Sequence, residues 1–305
     1  MDEKIIYAQV HSHSKFSINR LSGEGVFHKF VWPFERMIMK KLLMKSPKEL
    51  LKMANGRGVD FVSITDHNNI PVIEEDSEFL ITGEEWGQRK GHSNFINVDS
   101  PIDPECGYFK GIEPDNPKDF SDAAKEAKAR GALVSINHPF KTNAWFWGEE
   151  SYALADGIEI WNGDWCEENQ RALELWQKLL VRGLKIWCFA GNDFHVNRLF
   201  NIDSQVLALR NVDSKSTLIS KLKIGDFSIS KDTHSPVIFL NHDLSYSIVN
   251  YKESIELRAI SSNHTELINR PSKDGIVEKD RFQNFVRLEL WEDGSPLSFS
   301  NPEFI

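Results

Sequence analysis

The sequence predicts an α/β fold, in which a distorted (β/α)7 barrel is followed by a small antiparallel β unit. Short apolar strands alternate with helices over the first 230 residues, which favours parallel pairing through right-handed crossovers. Histidines and carboxylates recur where these strands end, and barrel enzymes place their chemistry at that end. After residue 231 the pattern changes to strands and turns without a helix. We therefore predict a barrel over 1–230 and a β-rich appendage over 231–305.

The individual elements follow from apolar runs and from the residues that end them. The first strand is predicted over 5–10, and a helix over 46–58 has Ser46 as its N-cap and Pro47 after it. Further barrel strands are predicted over 59–65, 79–82, 95–98, 132–136, 157–161, 184–190 and 205–209. Helices are predicted over 121–130, 167–181 and 215–223. The appendage should contain strands over 237–240, 247–249, 254–260 and 286–291.

Composition limits the classes of function. The net charge of -9 argues against non-specific binding to nucleic acid, because no basic excess displaces counterions. Three widely spaced cysteines form neither a disulfide framework nor a zinc knuckle. No apolar stretch approaches the length of a membrane span, and the start lacks a signal-peptide pattern. We expect a cytoplasmic protein that acts on a small-molecule substrate.

Six of the ten histidines stand in short motifs at the predicted strand ends, at positions 11, 13, 67, 92, 138 and 195. Residues i and i+2 of a strand share a face, so His11 and His13 can reach one cavity, and Asp193 and His195 repeat that spacing. Imidazoles suit zinc, iron and manganese, and carboxylates among them can bridge two ions. Each motif alone is commonly accidental, but their joint occurrence indicates a multinuclear hydrolytic centre.

This ordered set of motifs resembles the PHP (polymerase and histidinol phosphatase) family of metallohydrolases over roughly residues 5–230. The motifs are His11-Ser12-His13-Ser14, Ile64-Thr65-Asp66-His67-Asn68, Gly83-Glu84-Glu85-Trp86, Gly91-His92, Asn137-His138-Pro139 and Asp193-Phe194-His195. Together with Glu159-Ile160-Trp161-Asn162-Gly163, they look like the branch that includes carbaryl and related ester or carbamate hydrolases. The resemblance implies a PHP-type barrel.

The resemblance also implies the metal ligands, carried over residue by residue. They are His11, His13, His67, Glu85, His92, His138, Asp193 and His195. Glu85 rather than Glu84 matches the family's Gly-x-Glu position, and Asp66 is expected to support a ligand or a loop. Many family members have an aspartate where this chain has Ile18. We therefore expect two divalent ions (Mn, Fe or Zn), with a weaker or absent third.

The expected reaction is hydrolysis by a metal-bridging hydroxide, supported by Asp66 and Asp193. A phosphoesterase acting on a small phosphorylated substrate is favoured. An aryl ester or carbamate hydrolase with the same metal centre is the first alternative, and a non-catalytic, metal-stabilised scaffold is the second. An amidohydrolase-type barrel is disfavoured, because Glu84-Glu85 and Asp-x-His stand where that class has a modified lysine and a lone aspartate.

Candidate substrate-binding residues are less specific. Arg20, Lys141, Trp161 and Asn162 lie close in sequence to the ligands or end a strand on the same side, although surface cations and core aromatics have the same appearance. The aromatic run 145–147 could line a pocket or simply pack over the barrel mouth. The segment 18–36 is either a lid or an extra helix of the core.

Overall fold

The computed structural model describes residues 4–17, 44–71, 77–88, 90–102, 118–141, 145–195 and 201–305. The strands of its first part are β1 (Ile5–Gln9), β2 (Phe61–His67), β3 (Leu80–Gln88), β4 (Gly91–Ile96), β5 (Leu133–Ile136), β6 (Gly157–Asn162), β7 (Trp187–Gly191), β8 (Ser204–Arg210) and β9 (Ser228–Asp232). The helices are α1 (Pro47–Asn55), α2 (Phe120–Ala129), α3 (Glu167–Val181) and α4 (Lys215–Ile224), with a 3-10 helix at Glu149–Leu154.

The remainder of the chain adds short strands and one 3-10 turn at Lys279–Arg281. These strands are β10 (Val237–Leu240), β11 (Ser245–Val249), β12 (Glu256–Ile260), β13 (Thr265–Asn269), β14 (Asp274–Ile276), β15 (Phe285–Glu292), β16 (Ser295–Ser300) and β17 (Glu303–Phe304). Strands β9, β13, β14, β16 and β17 were not predicted from the sequence. The exposed strands β13 and β14 lack a strong apolar pattern.

Helix α1 shows how local sequence sets an element. The Ser46 hydroxyl accepts from the Glu49 N–H at 3.4 Å, and the Glu49 carboxylate accepts from the Ser46 N–H at 2.8 Å. This capping box, with Pro47 in the first turn, satisfies donors that a helix start leaves free. The helix ends at Asn55, before the predicted residue 58, because the residues from Gly56 to Gly58 form a turn.

The central sheet is mixed, which confirms the α/β class but not a uniformly parallel barrel. Strand pairs β1–β2, β2–β3, β5–β6 and β6–β7 are parallel. By contrast, β3–β4, β4–β5 and β1–β8 are antiparallel. The chain passes from Gln88 to Gly91 between β3 and β4, which is far shorter than the dozen or so residues of a parallel crossover.

Closure of the barrel is also different from the prediction. The ladder of described strands runs in an open order, from β13 at one end to β7 at the other. The ends of β1 and β7 nevertheless meet through an isolated parallel bridge between Ser12 and Phe194. The His13 N–H donates to the Phe194 carbonyl there at 2.8 Å. This contact brings the segments after β1 and β7 side by side.

The C-terminal strands are all paired antiparallel, and β12, β13, β15 and β16 continue the central sheet. Strand β9 pairs with β8 on one side and with β16 on the other, so the ladder crosses residue 231 without a break. Strands β10, β11 and β14 form a separate three-stranded sheet. The division into 1–230 and 231–305 remains a prediction.

Three apolar clusters support this arrangement. One joins the β1–β7 strands to α2, α3 and α4, and includes the fully buried Trp86 and Trp176. A second packs Leu50 and Ala54 of α1 against β2, and a third lies between the C-terminal strands. Within the described parts of the chain, no helix is both long and apolar enough to cross a membrane.

Candidate metal centre

The eight side chains predicted as ligands lie together where the strands end. They are His11 and His13 after β1, His67 in β2, Glu85 in β3, His92 in β4, His138 after β5, and Asp193 and His195 after β7. The side chains of Asp193 and His195 are 31% and 23% exposed, whereas the other six residues are buried. The cluster therefore opens towards solvent at the segment after β7.

The carboxylate of Glu85 lies at the middle of the cluster, and its two oxygens face different imidazoles. Oε1 lies 3.3 Å from His11 Nε2, 3.2 Å from His92 Nδ1 and 3.1 Å from His138 Nε2. Oε2 lies 3.4 Å from His13 Nε2 and 2.9 Å from His67 Nδ1. Strand alternation turns the neighbouring Glu84 away, and its Oε1 accepts from the Ile102 N–H at 2.7 Å.

Asp193 joins the same cluster from the segment after β7. Its Oδ1 lies 2.9 Å from His13 Nε2 and 3.4 Å from both His11 Nε2 and His195 Nδ1. The His195 Nδ1 lies 2.8 Å from the Asp193 carbonyl oxygen, which can only accept, so Nδ1 carries the hydrogen and Nε2 is left with its lone pair. Asp193 thus connects the β1 histidines to His195.

These separations fit a metal site. Ligand atoms held about 2.1 Å from one ion are about 3.0–3.4 Å apart at octahedral or tetrahedral angles. Among the described residues, the buried atoms His11 Nε2, His13 Nε2, Glu85 Oε2, His92 Nδ1 and Asp193 Oδ1 have no hydrogen-bond partner. Buried polar atoms without partners are costly, and bound cations would satisfy them.

Donor atoms within 4.8 Å of one another form three overlapping groups. The groups are His11, His13, Glu85 and Asp193; then His67, Glu85 and His92; and then His13, His67 and His195. Glu85 is common to the first two groups, as expected for a carboxylate shared by two ions.

Electrostatics favour the ligating forms of the carboxylates. Burial alone would raise the pKa of Glu85, but the imidazoles of His67, His92 and His11 hold it well below its usual range. Burial likewise opposes ionisation of Asp193, and His195, His11 and His13 outweigh it, so its pKa is also well below normal.

The pKa values of the histidines shift in opposite directions. Burial, together with His195 and His67, lowers the pKa of His13 well below its ordinary value. Burial also lowers the pKa of His67, although Glu85 opposes this. For His11, burial is outweighed by Glu159, Glu85 and Asp193, which hold its pKa well above normal. Cation binding at His11 would therefore compete with a proton.

Two of the proposed ligands are among the eleven described residues other than glycine that have a positive φ. His138 has φ of 24° and Asp193 has φ of 53°, a region that side chains other than glycine rarely adopt. Strained residues of this kind persist where the surroundings fix them, and they are common at functional sites.

Polar residues around the cluster hold its loops. Asp66 accepts two hydrogen bonds from Ser14, one from the backbone N–H and one from the hydroxyl, each at 2.6 Å. The hydroxyl of Ser17 lies 3.2 Å from His13 Nδ1 and accepts from the His67 N–H at 3.1 Å. Asp66 therefore contacts the loop after β1 through Ser14, and its supporting role at the centre stays a prediction.

Two neighbours of the ligands were not predicted from the sequence. Ser17 carries no motif signal. Glu159 could have been found, because a carboxylate in the middle of the apolar strand β6 requires a buried partner. Its Oε1 lies 2.8 Å from His11 Nδ1.

The predicted substrate residues lie in different environments. Lys141 donates from Nζ to the Asn162 carbonyl and, at 2.9 Å, to its side-chain oxygen. Trp161 is 2% exposed and packs against Trp165 and Phe299 within the core. Arg20 and the segment 18–36 lie outside the described residues.

Of the three aromatic residues over 145–147, two pack against other aromatic side chains and one is exposed. Trp145 packs against Phe120 and Tyr152, whereas Trp147 packs against Trp86 and Phe120. Phe146 is 69% exposed.

A mixed α/β sheet with a buried cluster of imidazoles and carboxylates at its strand ends defines a protein with a candidate metal centre. No family model matches the sequence. The chain is 28% identical to the uncharacterized protein MJ1587 of Methanocaldococcus jannaschii over 165 residues, which are 51% of this chain and 81% of that protein.

Three solved structures share a distant likeness. A Bifidobacterium adolescentis protein described as a metal-dependent phosphoesterase has a TM-score of 0.40 at 13% identity, covering 64% of this chain and 92% of its own. An amidohydrolase from Chromobacterium violaceum has a TM-score of 0.41 at 12% identity, covering 64% of this chain and 89% of its own. The lesion-specific endonuclease EndoQ from Pyrococcus furiosus has a TM-score of 0.46 at 12% identity, covering 79% of this chain and 60% of its own.

Proposed function

We propose that this chain is a metal-dependent hydrolase of the PHP type that binds two divalent ions and cleaves a phosphoester of a small substrate. The observation that carries the proposal is Glu85, whose two oxygens face separate groups of imidazoles at 2.9–3.4 Å. A carboxylate so placed, among buried donor atoms that have no hydrogen-bond partner in the described part of the chain, fits a shared ligand of two ions.

The ions would be held by the eight residues of the centre, with Glu85 common to both. When bound, divalent ions lower the pKa of a coordinated water and polarise the ester that is cleaved. Manganese, iron and zinc all suit the mixed set of imidazoles and carboxylates. The group of His13, His67 and His195 is the candidate for a weaker third ion.

The chain's own residues supply position and charge. Glu85 and Asp193 offset the charge of the cations, and their lowered pKa values keep them ionised at neutral pH. Asp193, the most exposed carboxylate of the cluster, is placed to accept a hydrogen bond from water at the opening. Asp66 holds the loop that carries His13 through its two bonds to Ser14.

An aryl ester or carbamate hydrolase is the second candidate, and one observation favours it. Phe16 and Phe146 are 43% and 69% exposed, and they follow the proposed ligands His13 and His138 in sequence. Exposed aromatic rings on such loops can contact an aryl group of a substrate.

A substrate panel with added Mn²⁺ tests both candidates. The proposal expects turnover of aryl phosphates or small phosphorylated metabolites, and loss of that turnover in His11→Ala. His234→Ala, which replaces an exposed histidine of the C-terminal part, is the matched control and should retain full activity. Turnover of aryl esters or carbamates alone would support the second candidate. A tightly bound metal without any turnover would instead support a scaffold.

A further inference from the structure

Glu159 is a buried carboxylate next to the centre that is absent from the predicted set of ligands. It lies in the middle of β6, between Ile158 and Ile160, and is 2% exposed. A carboxylate in such a position is unfavourable unless hydrogen bonds compensate for its lost water. Its partners therefore indicate why it is there.

Three donors from three strand ends converge on this carboxylate. His11 Nδ1 lies 2.8 Å from Oε1, the His138 backbone N–H donates to Oε2 at 3.0 Å, and Asn162 Nδ2 donates to Oε2 at 3.0 Å. The donors come from the residues after β1, after β5 and at the end of β6. Only a group with two accepting oxygens can satisfy all three.

The contact with His11 determines which of its ring nitrogens is free. A carboxylate can only accept, so Nδ1 must carry a hydrogen, and in the neutral ring Nε2 then presents the lone pair. His11 Nε2 is the atom that lies 3.3 Å from Glu85 Oε1 and 3.4 Å from Asp193 Oδ1, without a hydrogen-bond partner among the described residues. Glu159 thus directs the lone pair of His11 into the centre.

The contact with His138 stabilises an unfavourable backbone. His138 adopts φ of 24°, and its N–H would be buried without a partner if Glu159 did not accept from it. Glu159 therefore holds two of the eight proposed ligands, one through its ring and one through its backbone.

The surroundings leave Glu159 little freedom to move. A Cβ atom at Gly191 would lie 2.7 Å from Glu159 Oε1 and 2.4 Å from His11 Cβ, so β7 packs directly against this pair. On the other side, Asn162 accepts from Lys141 at 2.9 Å, which fixes the amide that donates to Glu159. The chain Lys141–Asn162–Glu159–His11 is continuous from the half-buried lysine to the centre.

We propose that Glu159 is a positioning residue of the metal centre, which fixes the His11 imidazole with Nε2 directed at the cation and holds the turn at His138. This inference rests on the proposed function, because it requires that the cluster binds divalent ions. Carboxylate partners of ligating histidines fix ring orientation, and their loss costs about 10–100-fold in metal affinity.

Glu159→Gln tests the inference with little change of shape. Its amide nitrogen can only donate, so either one of the three hydrogen bonds is lost or His11 must move its hydrogen from Nδ1 to Nε2, which removes the lone pair that faces the centre. Glu84→Gln is the matched control, because Glu84 is an equally buried carboxylate on β3 that faces away from the histidines. The probe is Co²⁺ alone, with affinity measured by chelator competition and ligand geometry by the visible absorption of the bound ion.

The expected result is an affinity for Co²⁺ about 10–100-fold lower in Glu159→Gln with a changed absorption spectrum, and values within about twofold of wild type in Glu84→Gln. Thermal unfolding of the metal-free proteins verifies that the variants fold. If Glu159→Gln does not fold, Asn162→Ala replaces it, because this change loosens Glu159 and should also weaken binding and alter the spectrum.

The outcomes separate the two proposals. A wild-type protein that binds no Co²⁺ overturns the metal-dependent function itself. A wild-type protein that binds Co²⁺, together with a folded Glu159→Gln of unchanged affinity and spectrum, overturns the positioning role alone. When Asn162→Ala is the variant tested, unchanged affinity and spectrum overturn the positioning role in the same way.

Discussion

Gly191→Ala should destabilise the protein and weaken its metal centre at the same time. The added methyl group would lie 2.4 Å from His11 Cβ and 2.7 Å from Glu159 Oε1. Non-bonded carbons sit about 3.5–4.0 Å apart, so β1 and β7 must separate by roughly 1 Å. Overpacking of this kind costs about 1–3 kcal/mol in the free energy of unfolding. Because the displaced side chain is a proposed ligand, affinity for divalent ions should fall as well.

Urea unfolding of the metal-free protein, followed by tryptophan fluorescence, measures the first effect, and Co²⁺ titration measures the second. Gly56→Ala is the matched control, because a Cβ there would meet only two carbonyl oxygens at 3.5 Å, and the backbone φ of -64° suits alanine. We expect this control to stay within about 0.5 kcal/mol of wild type. A Gly191→Ala protein as stable as the control and with wild-type affinity would refute the packing argument.

Three further predictions concern the metal, the loop after β1 and the C-terminal strands. Chelation should lower the thermal unfolding midpoint of the metal-loaded protein, because an ion at about 100 times its Kd adds about 2.7 kcal/mol of stability; equal midpoints with and without chelator would contradict the centre. Asp66→Ala removes both hydrogen bonds to Ser14 and should reduce metal affinity about 10–100-fold in chelator competition; wild-type affinity would show that the loop does not depend on them. Arg287→Met leaves the carboxylate of Glu289 buried, since the side chains of both residues are 3% exposed, and should cost about 3–5 kcal/mol in urea unfolding. An unchanged urea midpoint would mean that the hydrogen bond from Trp291 Nε1 is sufficient to hold the Glu289 carboxylate.

Some parts of the fold could be predicted from local signals. The capping box at Ser46 and Glu49 places the start of α1, and the turn at Gly56 places its end. The helix predicted over 167–181 is observed as α3 with the same bounds, because its apolar residues follow one period. The alternation of strand and helix was sufficient for the α/β class.

Other parts depended on contacts that the sequence does not display. The segment predicted as a strand over 79–82 extends to Gln88 and turns directly into β4, so that His92 lies in a strand of a hairpin. The direction in which two strands pair depends on the length of the connection between them and on which edge of the sheet is free. The local sequence pattern does not fully specify either of these. For the same reason the open order of the sheet was not predicted.

The sequence by itself determined the chemistry that this protein has available, because His-x-His, Asp-x-His and Gly-Glu-Glu are fixed by residue identity and by strand alternation. Only the tertiary structure decided how these groups meet, with Glu85 between two groups of imidazoles and Glu159 behind His11. Residues 148 positions apart come within 2.8 Å through the pairing of whole strands. That proximity is a property of the folded sheet, since no short stretch of chain encodes which distant side chain will lie beside it.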